Sequence, residues 1–145
     1  ALGEIISDAG IPAVLMASRK TPGDAKSLQE THAAINDVLS RAHDHGIEDI
    51  ILDPGIGRWI PERTAADDWE LCRHFHELHS YDLPILAAVS RKSFIGEITG
   101  QVPAGRLAGT LAVTSRLIEA GASVIRAHDI PETRDVITCV MKMMR

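Results

Sequence analysis

Residues 50–59 read "IILDPGIGRW": an apolar run ends in one carboxylate, and the chain turns at once through Pro-Gly-Ile-Gly. An apolar run without polar alternation is typical of a strand that is covered on both faces, as in a parallel sheet. Gly55 and Gly57 allow a tight turn and leave room for a ligand to approach the backbone. This stretch therefore predicts a buried parallel strand that carries Asp53 at its carboxyl end.

Three further apolar runs share this character, and together they predict strands over residues 13–17, 48–53, 85–90 and 123–127. Amphipathic stretches predict helices over residues 26–44, 63–80, 104–120 and 131–144. The strands begin at intervals of roughly 35 to 38 residues, which is natural for βα units with right-handed crossovers. The predicted fold class is therefore α/β, with four βα units. That is half of a (β/α)₈ barrel, which typically has about 250 residues.

Composition and charge restrict the class of protein. The chain has 145 residues, of which 45% are hydrophobic and 24% charged, and this fits a single soluble domain over residues 1–145. No apolar stretch approaches the roughly 20 residues that span a bilayer, and the net charge of -5 gives no reason to expect nucleic acid as a partner. Cys72 and Cys139 form no metal-type pair, so we expect a reduced, cytoplasmic protein. The sequence opens like the tail of a helix, so we expect the domain to be partial.

Polar residues follow each predicted strand, at the end where parallel α/β folds bind their ligands. The first strand runs into "SRKT" (18–21) and the third into "SRKS" (90–93), while the fourth is followed by Arg126 and His128. Two Arg-Lys pairs, an arginine and a histidine on one face predict a cationic rim that suits a phosphate or pyrophosphate. Among these cations, Asp53 is expected to stay ionised and to accept hydrogen bonds from an amino-bearing ring.

Each of these features also has a plainer interpretation. An aspartate before Pro-Gly is often a turn former, Asp129 can cap the helix that begins near Pro131, and His128 alone can be a packed loop residue. The histidines of residues 74–79 indicate a solvated helix face, because no acidic or cysteine partner completes a metal site at suitable spacing. Taken together, the four strand ends favour a ligand site.

Three ordered motifs, "LDPGIG" (52–57), "VSRKSFIG" (89–96) and "VIRAHDIPET" (124–133), make the chain resemble dihydropteroate synthase. The resemblance implies a (β/α)₈ TIM barrel, of which this chain would be the half from strand 5 to strand 8. It implies a pterin-binding transferase of folate synthesis that joins hydroxymethyl-dihydropterin pyrophosphate to p-aminobenzoate or a related arylamine and releases pyrophosphate. It also implies Mg²⁺, whose ligand would come from an earlier strand, so no residue of this chain is assigned as a metal ligand.

The resemblance further implies which residues bind the pterin pyrophosphate. Asp53 would hydrogen-bond the amino group and ring nitrogens of the pterin, and Lys92 would reach its ring nitrogen and carbonyl edge. Met16 would line the pterin pocket. Arg126 would stack on the face of the pterin and, together with His128, would bind the phosphates.

For the acceptor, the resemblance implies that Ser90 and Arg91 lie near the aminobenzoate. Arg58 stands where the family usually has an aromatic residue, with Trp59 one place later. An additional arginine beside the acceptor would suit a larger or phosphorylated arylamine, such as the one used in archaeal methanopterin synthesis.

Two other functions stay open from the sequence. One is a pterin-dependent methyltransferase, which uses a related barrel but binds no pyrophosphate. The other is a non-catalytic half-barrel that binds a pterin or a phosphate. A half-barrel leaves two sheet edges unpaired, so we expect a homodimer or association with the missing half of the barrel.

Overall fold

The computed structural model describes residues 2–145 and contains four parallel strands. These are β1 (Ala13–Met16), β2 (Ile50–Asp53), β3 (Leu86–Ala87) and β4 (Val124–Ile125). β1 pairs with β2 and β3 pairs with β4, and a bridge between Leu52 and Ile85 joins the two pairs. The spatial order of the strands therefore follows their order in the chain, as the prediction of four βα units requires.

The helices lie between and beside the strands. They are α1 (Leu2–Ala9), α2 (Leu28–Asp44), α3 (Ala65–Arg73), α4 (Ser93–Thr99), α5 (Leu107–Glu119) and α6 (Ile130–Met143), with short 3₁₀ helices over Phe75–Tyr81 and Pro103–Gly105. The Thr64 side chain accepts a hydrogen bond from the backbone of Asp67, whose carboxylate accepts one from the Thr64 backbone, so a capping box begins α3. None of the helices within residues 2–145 is long and apolar enough to cross a membrane.

Two helix predictions are wrong in detail, and one helix was not predicted. The predicted helix over 63–80 is α3 followed by the 3₁₀ helix, because the buried Phe75 and Leu78 are three residues apart and so lie on one side of a three-residue turn. The predicted helix over 104–120 begins at Leu107, after the 3₁₀ turn that contains Pro103. The sequence analysis predicted no helix at α4, which has only seven residues.

The main hydrophobic core lies between the sheet and the helices, and its large buried side chains are Ile35, Leu52, Ile56, Leu71, Phe75, Leu78, Ile85, Phe94, Ile95 and Leu117. The rings of Trp69 and Phe94 pack edge to face, with centroids 4.7 Å apart. This contact joins α3 to α4. Because both helices start directly after loops at the carboxyl ends of strands, the core also holds those loops in place.

Candidate functional site

Asp53 is the last residue of β2 and lies opposite Met16 in the register of the sheet. Its Oδ1 accepts a hydrogen bond from the backbone N–H of Gly55 at 2.8 Å. Gly55 has a φ of +75°, and a Cβ there would lie 3.5 Å from the Cγ of Met16. Met16 therefore packs beside the glycine turn, with the carboxylate of Asp53 at the same end of the sheet.

Burial sets the direction of the pKa of Asp53. Desolvation raises this pKa, while the Gly55 hydrogen bond and the charges of Lys92 and Arg126 lower it by a smaller amount. The neighbouring cations alone predict a lowered pKa for Asp53. Burial outweighs these cations, so the pKa of Asp53 is raised. Ionisation of Asp53 is therefore less favourable in the folded protein than in the unfolded chain.

Lys92 lies directly before α4 and brings its ammonium group to the glycine turn. Its Nζ is 4.8 Å from the centroid of the Trp59 ring, and it would be only 2.8 Å from a Cβ at Gly57, where φ is +123°. Burial lowers the pKa of Lys92, and the charge of Asp53 opposes this change. Gly57 is thus required for two reasons: its backbone conformation and the close approach of Lys92.

Ser90 and His128 bind each other. The Ser90 hydroxyl accepts a hydrogen bond from the backbone N–H of His128 at 3.1 Å and lies 2.9 Å from its Nδ1. The backbone N–H of Arg126 donates to the carbonyl of Ala87 at 3.0 Å. The Arg126 side chain is exposed and forms no hydrogen bond with any other residue between 2 and 145. The site therefore offers the Arg126 guanidinium and the Nε2 of His128 to a ligand, while the Ser90 hydroxyl orients the histidine.

Arg91 is bound within the chain. Its Nε donates to Oδ2 of Asp129 at 3.1 Å, and its Nη2 donates to Oδ1 of the same carboxylate at 2.5 Å. Asp129 stands at the N-cap position of α6 but makes no side-chain capping bond, so its interpretation as a helix cap is wrong. The guanidinium of Arg106 donates to the carbonyl of Arg91 at 2.8 Å, and Thr110 Oγ1 accepts from the Arg91 N–H at 3.0 Å.

These contacts reduce the number of unpaired cations in the predicted cationic rim. The charge of Arg91 is balanced by Asp129, whose pKa it lowers. In the first Arg-Lys pair, the Nε of Arg19 lies 2.7 Å from the carboxylate of Asp37. The arginines of both Arg-Lys pairs in the predicted rim are thus paired with carboxylates, which the sequence does not reveal because those carboxylates are distant along the chain.

Arg58 and Trp59 are neighbours in the β2–α3 loop, but their side chains make different contacts. Arg58 is exposed, and its Nη2 donates to the carbonyl of Pro61 at 3.1 Å. Trp59 is 48% exposed and packs on Gly23, where a Cβ would lie 2.3 Å from the ring. The aromatic ring beside Lys92 is thus Trp59, to which the sequence analysis gave no role.

The sequence analysis also missed a buried ion pair beneath the loops. Arg63 and Asp68 are each 1% exposed, with Arg63 Nε 2.9 Å from Asp68 Oδ1. In the sequence they look like ordinary charges at the start of a helix. Their spacing of five positions does not indicate that they pair or that they are buried.

The described residues do not supply a metal site. No group of three or more His, Cys, Asp or Glu side chains within residues 2–145 could hold a metal ion. In the histidine segment, His74 Nδ1 lies 2.8 Å from the exposed Glu77 carboxylate. The expectation that an earlier strand supplies the Mg²⁺ ligand stays a prediction.

The arrangement can recognise a flat polar ring attached to an anion. Asp53 accepts hydrogen bonds and Lys92 donates them, so together they match a ring edge that carries an amino group and an acceptor. Met16 supplies an apolar surface, and Arg126 with His128 supplies cationic donors for phosphate oxygens. Met16 and Lys92 lie beside the glycine turn that follows Asp53, and the charges of Lys92 and Arg126 act on the Asp53 carboxylate. Ser90 and Arg91 bond to His128 and Asp129, and Arg58 is exposed in the loop after β2.

Comparison with known proteins shows which family the chain resembles in sequence and in fold. The chain is 32% identical to dihydropteroate synthase of Escherichia coli (strain K12) over 146 aligned residues, which cover 94% of this chain and 51% of that protein. It superposes on the structure of a dihydropteroate synthase from Coxiella burnetii in complex with pteroic acid, with a TM-score of 0.88 and 28% identity over 97% of this chain and 54% of the other. For a dihydropteroate synthase from Xanthomonas albilineans with 4-aminobenzoic acid, the TM-score is 0.86 and the identity is 30%, over 98% of this chain and 54% of the other.

The chain spans about half the length of the curated relatives it matches. The sequence pattern of the family described as "Pterin binding enzyme" matches residues 1–128. That match contains the strand ends that carry Met16, Asp53, Lys92 and Arg126, and it ends at His128. The chain therefore belongs to the pterin binding enzyme family.

Proposed function

We propose that this chain forms the pterin- and pyrophosphate-binding half of a dihydropteroate synthase. The reaction joins hydroxymethyl-dihydropterin pyrophosphate to p-aminobenzoate or a related arylamine and releases pyrophosphate. The observation that carries the proposal is the cluster of Asp53, Lys92 and Arg126 at the carboxyl ends of β2, β3 and β4. The charges of Lys92 and Arg126 lower the pKa of the half-buried Asp53 carboxylate, against the effect of burial. Similar structures that hold pteroic acid and 4-aminobenzoic acid support this choice of substrates.

In the proposed complex, the pterin ring lies with its polar edge against Asp53 and Lys92. The ionised carboxylate accepts hydrogen bonds from the amino group and a ring N–H, and the ammonium donates to the ring nitrogen and carbonyl. Binding relieves the cost of burying both groups, because each then has a hydrogen-bonded partner in place of water. Met16 packs against the apolar part of the ring.

The pyrophosphate lies beside Arg126 and His128 in this proposal. As the bond between the methylene carbon and the pyrophosphate oxygen breaks, the electron pair leaves with the oxygen. The guanidinium of Arg126 and the imidazole of His128 stabilise that negative charge as it develops. The amine nitrogen of the acceptor then bonds to the methylene carbon and releases a proton to solvent.

The acceptor lies on the other side of Lys92 in this account. The exposed Trp59 ring offers a flat surface for an aromatic amine, and Ser90 and Arg91 hold the loop that carries Lys92. The exposed Arg58 leaves space and charge for an acceptor with an additional anionic group. The choice between p-aminobenzoate and a larger arylamine stays a prediction.

Mg²⁺ and the cellular compartment also stay proposals. We assign the metal to no residue of this chain and route no step through it, because the described residues contain no suitable ligand group. Cys72 and Cys139 are free thiols, which supports a reducing compartment such as the cytoplasm.

The experiment measures pyrophosphate release by the full-length protein supplied with hydroxymethyl-dihydropterin pyrophosphate, with and without p-aminobenzoate. Release that depends on the amine, together with dihydropteroate as product, is the expected result. Pterin binding without release would favour the non-catalytic alternative, and methyl transfer from a methylated pterin would favour the methyltransferase. Absence of any pterin binding would overturn the proposal.

A further inference from the structure

The buried ion pair of Arg63 and Asp68 is an unusual feature of this site. Arg63 comes just before the capping residue of α3, and Asp68 lies in the first turn of that helix. Both side chains are 1% exposed. Removal of two charges from water costs more than their attraction returns unless the remaining polar atoms are also satisfied.

The remaining polar atoms of the pair are not all satisfied. Arg63 Nη2 and Asp68 Oδ2 are buried and have no hydrogen-bond partner among the described residues. Each such atom carries a desolvation cost, so its burial reduces what the pair contributes to stability.

The bonds that the pair does form reach two different loops. Arg63 Nη1 donates to the carbonyl of Ala25 at 2.6 Å, in the loop between β1 and α2. Asp68 Oδ1 accepts from the backbone N–H of Gly57 at 2.8 Å, in the loop between β2 and α3. The pair thus connects the loops that follow the strand ends of Met16 and Asp53.

One of the two connected loops lies beside Lys92, and the other packs on that loop at Trp59. Gly57, whose N–H is held by Asp68, lies directly below the Lys92 ammonium, since a Cβ there would be 2.8 Å from Nζ. The loop held by Arg63 includes Gly23, which packs on the ring of Trp59. That ring lies 4.8 Å from the same Nζ. Displacement of either loop would therefore move a surface that Lys92 rests on.

We propose that Arg63 and Asp68 are positioning residues, which place the Lys92 ammonium for contact with the pterin by fixing Gly57 below it and Trp59 beside it. The inference rests on the proposed function, because it assigns Lys92 a ligand. It is supported by the electrostatics: the charge of Asp68 raises the pKa of Lys92 and the charge of Arg63 lowers it. Neither residue touches the substrate in this account.

The test compares the full-length wild-type protein with Arg63→Met/Asp68→Leu, which replaces the ion pair by apolar side chains of similar length. The matched control is Arg116→Gln/Glu119→Gln, which removes an exposed ion pair on α5. Hydrogen exchange of the segment 54–59 is measured without ligand, and the Kd for hydroxymethyl-dihydropterin pyrophosphate is measured by calorimetry. We expect the apolar variant to remain folded, with at least about tenfold faster exchange of this segment and about tenfold weaker binding. The control should match the wild type.

A folded apolar variant with wild-type exchange and wild-type affinity would overturn the proposal. If that variant does not fold, Asp68→Asn decides, because loss of the charge weakens the pairing with Arg63 that connects the two loops. Exchange of segments 18–27 and 54–59 in this ligand-free variant should then be faster than in the wild type, and unchanged exchange of both segments contradicts the proposal. In the wild type, bound pterin pyrophosphate should slow hydrogen exchange in segments 18–27 and 54–59 together. Slower exchange in only one segment contradicts the proposal that the ion pair connects the two loops.

Wild-type protein that binds no pterin would refute the proposed function. Hydrogen exchange of the ligand-free variants would still test whether the ion pair fixes the loops.

Discussion

Asp53 places a carboxylate where the folded chain partly excludes water, and burial raises its pKa against the effect of two nearby cations. The folded state therefore holds a proton on Asp53 more tightly than the unfolded chain does. A group of this kind adds stability at low pH, and the contribution is lost as the pH rises through its folded pKa. At neutral pH the ionised carboxylate costs folding free energy, and the proposed pterin contact explains why an aspartate stands there.

Asp53→Asn should therefore increase stability and abolish pterin binding. The amide still accepts the Gly55 N–H but carries no charge, so we expect a higher melting temperature at pH 7.5. A gain of about 1 kcal/mol would correspond to about 2–4 °C for a domain of this size. The difference should shrink as the pH falls towards the ordinary pKa of an aspartate, while pterin affinity is lost at every pH. Thermal melts across this pH range and calorimetry check both parts, and a melting temperature below that of the wild type at pH 7.5 would refute the burial argument.

Lys92 can be compared with a matched lysine in the same chain. The tips of the first and third strands both read Ser-Arg-Lys, so Lys20 is the sequence counterpart of Lys92 but lies exposed in its loop. Lys92→Ala should weaken binding of the pterin pyrophosphate about 10²-fold, roughly 2–3 kcal/mol, because a charge-assisted hydrogen bond is lost. Lys20→Ala should leave the affinity within a factor of about 2. Calorimetry that finds equal effects for both variants would remove Lys92 from the site.

At the scale of elements, the sequence predicts what depends on hydrophobic pattern and strand order. The four strands, their parallel arrangement and the position of Asp53 at the end of β2 all follow from the apolar runs and their spacing. The motif resemblance led to the correct family. The predicted strands over 85–90 and 123–127 were longer than β3 and β4, which have two residues each, because apolar runs continue past the last strand bonds.

Contacts between distant charged side chains could not be predicted. The pairing of Arg91 with Asp129 joins residues 38 positions apart, and nothing in either local sequence indicates it. The buried Arg63 and the exposed Arg58 are five residues apart in one loop, and only the fold decides which of them faces the core. Local sequence therefore cannot divide the candidate site residues into those that face a ligand and those that hold their neighbours.

The buried ion pair spans the start of α3, because Arg63 precedes the N-cap residue Thr64 and Asp68 lies in the first turn. Its capping box joins Thr64 to Asp67, with Thr64 Oγ1 also 2.7 Å from the Asp67 carboxylate. Thr64→Ala should lower the free energy of unfolding by about 1 kcal/mol, because a backbone N–H of the first turn loses its acceptor. Thr138→Ala is the control, since that hydroxyl only bonds back to Arg134 on the exposed face of α6. Urea denaturation that shows equal losses for both variants would contradict this role for Thr64.

At the scale of the whole molecule, the sheet has two free edges. Within residues 2–145, β1 pairs with β2 alone and β4 pairs with β3 alone among the named strands. Val14 on β1 is 56% exposed, which is high for a branched apolar residue in a parallel sheet. Unpaired backbone groups and exposed apolar surface favour association.

The chain of residues 1–145, prepared alone, should therefore form dimers or larger species in light scattering at micromolar concentration. Val14→Lys should reduce this association, because a charge on the open face of the sheet opposes contact with another apolar surface. Val102→Lys, at an exposed position outside the strands, is the matched control and should have no such effect. A stable monomer of the unmodified chain would show that the edges and the open face are already protected.

The most direct test of the central claim is a crystal structure of the full-length protein with hydroxymethyl-dihydropterin pyrophosphate bound. The account predicts the polar edge of the pterin within hydrogen-bond distance of the Asp53 carboxylate and the Lys92 ammonium, with the pyrophosphate at Arg126 and His128. A pterin bound elsewhere, or bound here without contact to Asp53 or Lys92, would contradict it.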